Sequence, residues 1–219
     1  KVIIASELIR KKYTKYDLGD HEISVGLWVG QESTPNKTSD AVENINEDFS
    51  SPKQLIDCPI CNNTLRWSSK DKKTGIKIKN ENEKKTKLKN AIEELKVTSS
   101  CENKNCKASI FDELPIYTYD EIIYDRRPTI LIGTSDKFAQ VVRLSNTIID
   151  TIFGDKNVRA PSLIIQDELH LISGPLGTVS SLYEFIIDEL CNRFWKKPKI
   201  IGSTATIRRA KEQVKSLFN

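Results

Sequence analysis

The apolar positions of this chain fall in short bursts between polar stretches, and the period of each burst predicts an element. Val2, Ile3, Leu8 and Ile9 share one helical face, with Arg10, Lys11 and Lys12 in the last turn, where cations suit the helix dipole. A helix is therefore predicted over residues 1–13. Residues 23–29 alternate apolar and small side chains and end at Gly30, the pattern of a strand. Residues 32–53 are rich in Ser, Thr, Asn, Asp and Pro and read as a loop, and residues 116–124 as a weak strand or connector. Residues 129–132 form a continuous apolar run between Pro128 and Gly133, the pattern of a strand buried on both faces.

Helical spacing returns over residues 136–152 through Phe138, Val141, Val142, Leu144, Ile148, Ile149 and Ile152. A strand is predicted at 163–165. A helix follows at 178–195, with Leu182, Phe185, Ile186, Leu190 and Phe194 facing inward. Residues 198–201 form another strand and residues 207–218 a basic helix. Strands alternate with helices from residue 129 onward, which predicts an α/β class with a parallel sheet and right-handed crossovers. The strands at 129–132, 163–165 and 198–201 are expected side by side in that sheet. No internal repeat is present.

The chemistry sits where these apolar runs end. The strand at 163–165 leads through Gln166 into Asp167-Glu168-Leu169-His170, and the strand at 198–201 leads into Ser203-Thr204-Ala205-Thr206. Both polar clusters then lie at the carboxyl edge of a parallel sheet, where open α/β sheets bind ligands. Adjacent carboxylates there suit nucleotide hydrolysis: one holds a hydrated Mg²⁺ and its neighbour orients the attacking water. The competing reading is a solvated acidic pair at a strand end. Thr134, Ser135 and Lys137 open the helix after the strand at 129–132. A helix start with hydroxyls and free amides attracts phosphate, although Thr134 or Ser135 can equally serve as a cap.

Cys58-Pro59-Ile60-Cys61 and Cys101-Glu102-Asn103-Lys104-Asn105-Cys106 are two knuckles with tetrathiolate zinc spacing. Four thiolates leave no open position for water, so the site predicted is structural Zn²⁺ on Cys58, Cys61, Cys101 and Cys106. The chain has five cysteines, and Cys191, on a predicted helix, reads as a core thiol. Between the knuckles lies a Lys-rich run, residues 70–96, read first as a solvated excursion and second as a basic finger for nucleic acid or a partner. Net charge is +4 over 219 residues, which fits a nucleic-acid partner without demanding one. No apolar run approaches the roughly 20 residues that span a bilayer, and short-spaced cysteine pairs suit a reducing cytoplasm. His21, in a polar loop, reads as surface.

Asp167-Glu168-x-His170 followed by Thr204-Ala205-Thr206 resembles motifs II and III of superfamily 2 helicases and translocases, and the stretch opened by Gly133-Thr134 resembles their nucleic-acid-backbone segment. A closer resemblance, carried by Gln166-Asp167-Glu168-Leu169-His170-Leu171-Ile172-Ser173-Gly174-Pro175-Leu176-Gly177-Thr178, by Gly26-Leu27-Trp28-Val29-Gly30 and by the cysteine pairs, is to the large helicase of DISARM-type anti-phage systems. The resemblance implies a RecA-like (P-loop NTPase) parallel sheet, incomplete, with an inserted zinc-binding module. It implies Asp167 as the Mg²⁺ carboxylate, Glu168 as the catalytic base, and His170, Thr204, Ala205 and Thr206 as residues coupling hydrolysis to movement. Thr134, Ser135 and Lys137 would contact nucleic acid, DNA in preference to RNA. Further partners implied are the remainder of the helicase chain and other defence-system subunits, in the cytoplasm and away from membranes.

The domains expected are 1–53, the amino-terminal part of the RecA-like domain with a loop; 54–110, the zinc-binding insertion; and 111–219, the core with motifs II and III. No Gly-x-x-x-x-Gly-Lys-Ser/Thr loop occurs, no Met occurs, and a helical pattern begins at Lys1. These features predict a piece of a longer chain that does not hydrolyse ATP by itself. Two rivals remain at this level. One is a zinc-dependent nucleic-acid-binding module on a non-hydrolysing RecA-like scaffold. The other is a metal-dependent nuclease using Asp167 and Glu168.

Overall fold

The structure is a computed structural model, and it describes residues 1–13, 18–71, 95–168 and 174–203. The chain divides into two compact units, Lys1–Thr134 and Ser135–Asn219.

The first unit opens with α1 (Val2–Tyr13). Its buried face is Ile4, Glu7 and Leu8, whereas Val2 and Ile9 are exposed. The predicted face is thus rotated, because a buried ion pair takes part of the inner stripe. Arg10 donates to both Glu7 carboxylate oxygens at 2.7 and 2.8 Å. The same guanidinium also donates to the Gly19 carbonyl and, at 2.7 Å, to the His21 carbonyl. The segment at 18–22 is thereby tied to the helix.

β1 (Val25–Trp28) is the centre of a three-stranded parallel sheet, flanked by β4 (Ile116–Tyr117) and β5 (Ile130–Gly133). Gly26 allows the closest approach in this sheet, since an added Cβ would lie 2.5 Å from Pro128 Cγ. Trp28 is fully buried, and its indole N–H donates to the Tyr124 hydroxyl at 3.2 Å.

The predicted loop at 32–53 instead contains α2 (Thr38–Glu43), followed by a 3-10 turn at Asn44–Asn46. Ala41, Val42 and Ile45 are buried there. The start of α2 is capped from 83 residues away: Glu121 Oε2 accepts from the Thr38 N–H at 2.8 Å and from its hydroxyl at 2.7 Å. That tertiary cap explains why a polar stretch without a local capping pattern becomes helical. Glu121 belongs to α3 (Asp120–Arg126), which occupies most of the predicted connector at 116–124.

The cysteine-bearing insertion is built on an antiparallel ribbon, β2 (Arg66–Asp71) with β3 (Leu95–Ser100). Lys70 and Lys96 lie opposite each other in register, and both are buried. Lys70 Nζ donates to the Asp112 carbonyl at 2.7 Å, and Lys96 pairs with Glu113 at 2.7 Å. The two ends of the Lys-rich run are therefore root contacts and not part of a solvated basic surface. Residues 72–94 lie outside the described residues. Tyr119 fastens the ribbon further by accepting from the Val97 N–H at 3.2 Å, and burial pushes its phenol up to about 12.

The second unit contains α4 (Ser135–Ala139), a 3-10 turn at Gln140–Arg143, α5 (Asn146–Phe153), β6 (Leu163–Gln166), α6 (Gly174–Asn192) and β7 (Lys199–Gly202). The single helix predicted at 136–152 is broken at Ser145, whose extended backbone and hydroxyl cap α5 through the Ile148 N–H. Gly154 ends α5 with φ at +87°, and a Cβ there would meet the Val158 carbonyl oxygen at 2.7 Å.

β6 and β7 are parallel, in the register Leu163↔Lys199 to Gln166↔Gly202. The strand at 130–133, expected beside them, pairs with β1 instead, and among the described residues no strand joins the two sheets. Burial also departs from expectation: Leu163, Ile165, Ile200 and Ile201 are exposed. On α6, Leu182 and Phe185, predicted to face inward, are 62% and 64% exposed, whereas Cys191 is fully buried. Helical spacing identifies an apolar stripe but not which neighbour covers it. Among the described residues, no helix is long and apolar enough to cross a membrane.

Candidate functional site

Each knuckle is closed by hydrogen bonds local to its own turn. In the first, Cys58 N–H donates to the Asn63 carbonyl at 2.8 Å and Asn62 N–H returns to the Cys58 carbonyl at 3.0 Å. Asn62 takes the left-handed conformation, φ 57°, which closes the turn and which Asn tolerates. In the second, Cys106 N–H donates to the Asn103 carbonyl at 2.8 Å, and the chain continues into a 3-10 turn, Lys107–Ile110. The β2–β3 ribbon then holds the knuckles together, with Arg66 opposite Ser100 at its near end.

The result is a four-sulfur cluster. Cys58 Sγ lies 3.7 Å from Cys106 Sγ, and Cys61 Sγ lies 3.7 Å from Cys101 Sγ. All four sulfurs lie within 4.8 Å of one another. A tetrahedral ion with sulfur at about 2.3 Å requires sulfur–sulfur edges of about 3.8 Å, whereas a disulfide requires about 2.05 Å. The arrangement can hold a metal ion and is compatible with zinc.

Backbone amides two residues onward support three of the sulfurs: Asn63 for Cys61, Asn103 for Cys101, and Ala108 for Cys106 at 3.3 Å. Such N–H···S bonds favour thiolate and orient it, the support expected around a metal ligand. The Asn63 amide draws the Cys61 thiol down to about 7. Burial pushes Cys101 up to about 12 and raises Cys106. Cys191 stands apart: it is buried in the second unit, with its thiol pushed up by burial to about 11, as a core thiol should be.

The acidic pair sits where the sequence put it, at the carboxyl end of β6. Asp167 and Glu168 are both exposed. Asp167 Oδ1 accepts from the Glu168 N–H at 3.0 Å, and Glu168 has φ 55°, a conformation uncommon for residues other than Gly, Asn and Asp. The chain therefore leaves the sheet sharply at this pair. Immediately before it, Gln166 Nε2 donates to Glu184 Oε1 of α6 at 2.8 Å. Burial raises the Glu184 carboxyl above the ordinary carboxylate range, and the Gln166 hydrogen bond opposes that shift.

Of the remaining predicted residues, Thr134 and Ser135 are exposed after β5, while Lys137 is 4% exposed. A buried Lys137 is poorly placed to meet a nucleic-acid backbone, so its predicted contact role is not supported by its exposure. His170, Thr204, Ala205 and Thr206 lie outside the described residues.

No family model matches the chain. It is 34% identical over 269 aligned positions to the DISARM protein DrmA of Bacillus paralicheniformis.

The chain resembles that DISARM protein.

The match covers all of the chain and 22% of the relative, so the chain spans about a fifth of the relative's length. The alignment is longer than the 219 residues of the chain, so the relative carries insertions inside the matched span. Sequence reasoning missed the Gln166–Glu184 contact. Its only signal was a polar residue closing an otherwise apolar strand.

Proposed function

We propose that the chain is part of an ATP-driven motor on nucleic acid, a RecA-like helicase or translocase of DISARM type that acts in cytoplasmic anti-phage defence. The observation that carries this reading is the carboxylate pair Asp167–Glu168 at the carboxyl end of a strand with a parallel neighbour, in a chain resembling a DISARM protein. Asp167 would hold Mg²⁺ through water, and Mg²⁺, when bound, neutralises phosphate charge. Glu168 orients the attacking water and takes its proton. His170 and Thr204-Ala205-Thr206 link nucleotide state to movement. Thr134 and Ser135 contact a nucleic-acid backbone, DNA in preference to RNA. The Cys58, Cys61, Cys101 and Cys106 cluster carries structural Zn²⁺, which fixes the insertion at 54–110. The rest of a longer helicase chain and other defence subunits are the protein partners.

The test is nucleotide turnover in the intact protein. Glu168→Gln should keep Mg-nucleotide binding and lose about 10²-fold or more of turnover, the usual contribution of a positioned base. Asp167→Ala should weaken Mg-nucleotide binding as well. Wild-type turnover in Glu168→Gln would remove the hydrolytic assignment. Nucleotide-independent binding of nucleic acid by a wild-type protein without turnover would favour the non-hydrolysing scaffold.

A further inference from the structure

We propose that Glu184 is held as a neutral carboxylic acid and closes a two-hydrogen-bond ring with the Gln166 carboxamide, making it the positioning residue for the strand end that presents Asp167 and Glu168. The importance of the ring rests on the hydrolytic reading of that pair; its existence does not.

The argument begins with two orphaned oxygens. Gln166 Nε2 donates to Glu184 Oε1 at 2.8 Å, but Gln166 Oε1 and Glu184 Oε2 are both shut off from solvent and, among the described residues, have no hydrogen-bond partner. A buried polar atom left unpaired costs about 1–3 kcal/mol, and more if charged. With Glu184 ionised, both orphans are acceptors and neither can satisfy the other. A single proton on Glu184 Oε2 changes that: the acid O–H donates to the amide carbonyl while the amide N–H donates to the acid carbonyl. All four polar groups are then matched, and no charge is buried.

The surroundings agree. Among the described residues, the charged groups on the elements packed around Glu184 are Asp188 and Glu189 on α6 itself, Asp136 and Lys137 on α4, Asp150 on α5, and Asp167 and Glu168 after β6. Asp188 is paired with Lys197 at 2.6 Å and Asp150 with Arg193 at 2.8 Å. Burial is the largest influence on Glu184 and favours its neutral form. The ring ties the last residue of β6 to the middle of α6, one peptide before Asp167. Glu168 follows in a left-handed conformation that needs a rigid approach to persist.

The experiment uses the intact protein and two readouts. Infrared difference spectra between wild type and Glu184→Gln at neutral pH should contain a carboxylic-acid C=O band belonging to the wild type. Absence of that band means an ionised Glu184 and overturns the proposal. In turnover, Glu184→Gln should stay close to wild type, because an amide pair can form the same ring. Glu184→Ala should lose about tenfold or more in kcat with little change in KM, as misplacement of reacting groups does. Glu184 gains protons on folding, so its contribution is present at low pH and lost as pH rises through its raised value. Wild-type turnover should therefore carry an alkaline limb that Glu184→Gln lacks. An unchanged limb in Glu184→Gln, or wild-type kcat in Glu184→Ala, overturns the positioning role. If the infrared band is present but Glu168→Gln keeps its turnover, the hydrolytic reading fails and the ring stands.

Discussion

Removing the metal from the cysteine cluster should unfold the insertion while sparing the parallel sheets. Two of the cluster's six sulfur–sulfur edges are 3.7 Å and all lie within 4.8 Å, an arrangement compatible with tetrathiolate zinc, and Cys58, Cys101 and Cys106 are all at most 6% exposed. Structural zinc in small modules contributes an apparent 10–16 kcal/mol or so near neutral pH, as large as the roughly 5–15 kcal/mol that stabilises a whole domain. Beyond the β2–β3 ribbon at their base, the two knuckles are held by turn hydrogen bonds, N–H···S contacts and an exposed Arg66–Glu102 pair. Such an exposed pair contributes about 0–1 kcal/mol. Trp67 reports the outcome. It is 7% exposed on β2, with its indole N–H bound to the Leu55 carbonyl at 2.8 Å, beside the first knuckle. A strong chelator should release one zinc per chain and shift part of the tryptophan emission to the red. The Trp67→Phe variant should release zinc without that component. Cys101→Ser should weaken zinc by more than the roughly 10–100-fold cost of losing a supporting contact. The reasoning fails if purified protein contains no stoichiometric metal, or if chelation releases zinc and leaves Trp67 buried.

The remaining predictions concern stability. Gly154→Ala should cost about 1–3 kcal/mol in urea unfolding, because the site combines a positive φ with backbone oxygen where the methyl would go. Arg10→Leu should cost about 1–3 kcal/mol, because buried Glu7 loses its bidentate partner while keeping Lys11 at 3.8 Å and the Ile23 amide; no change in stability would refute the anchoring role. The Arg10 hydrogen bond holds Glu7 below its ordinary value of 4.5, so its contribution is complete above that value and lost as pH falls through the lower folded one. Glu7→Gln should remove this component of acid destabilisation in pH-dependent unfolding.

Much of the local structure was written in the chain. Cys-x₂-Cys and Cys-x₄-Cys spacing picked out the four cysteines that the fold brings together, because a knuckle forms from turn geometry within a few residues. The apolar runs read at 129–132, 163–165 and 198–201 correspond to strands at 130–133, 163–166 and 199–202, and their run lengths suited parallel pairing. The carboxylate pair could be located because a strand end is itself a local event. Tertiary structure decided the rest. Glu121, 83 residues from Thr38, made a helix of a stretch that reads as a loop. Ser145 divided the helix predicted across it by capping a new one. On α1 the Glu7–Arg10 pair took part of the inner face, and on α6 Cys191 is buried while Leu182 and Phe185 of the apolar stripe are exposed. Strand partners were set by which edge another strand could reach, so β5 joined β1 and not β6. The Gln166–Glu184 pair was invisible for the same reason. Hydrophobic periodicity records which residues leave water, whereas a buried hydrogen bond depends on which two groups meet, and only the folded chain brings those groups together.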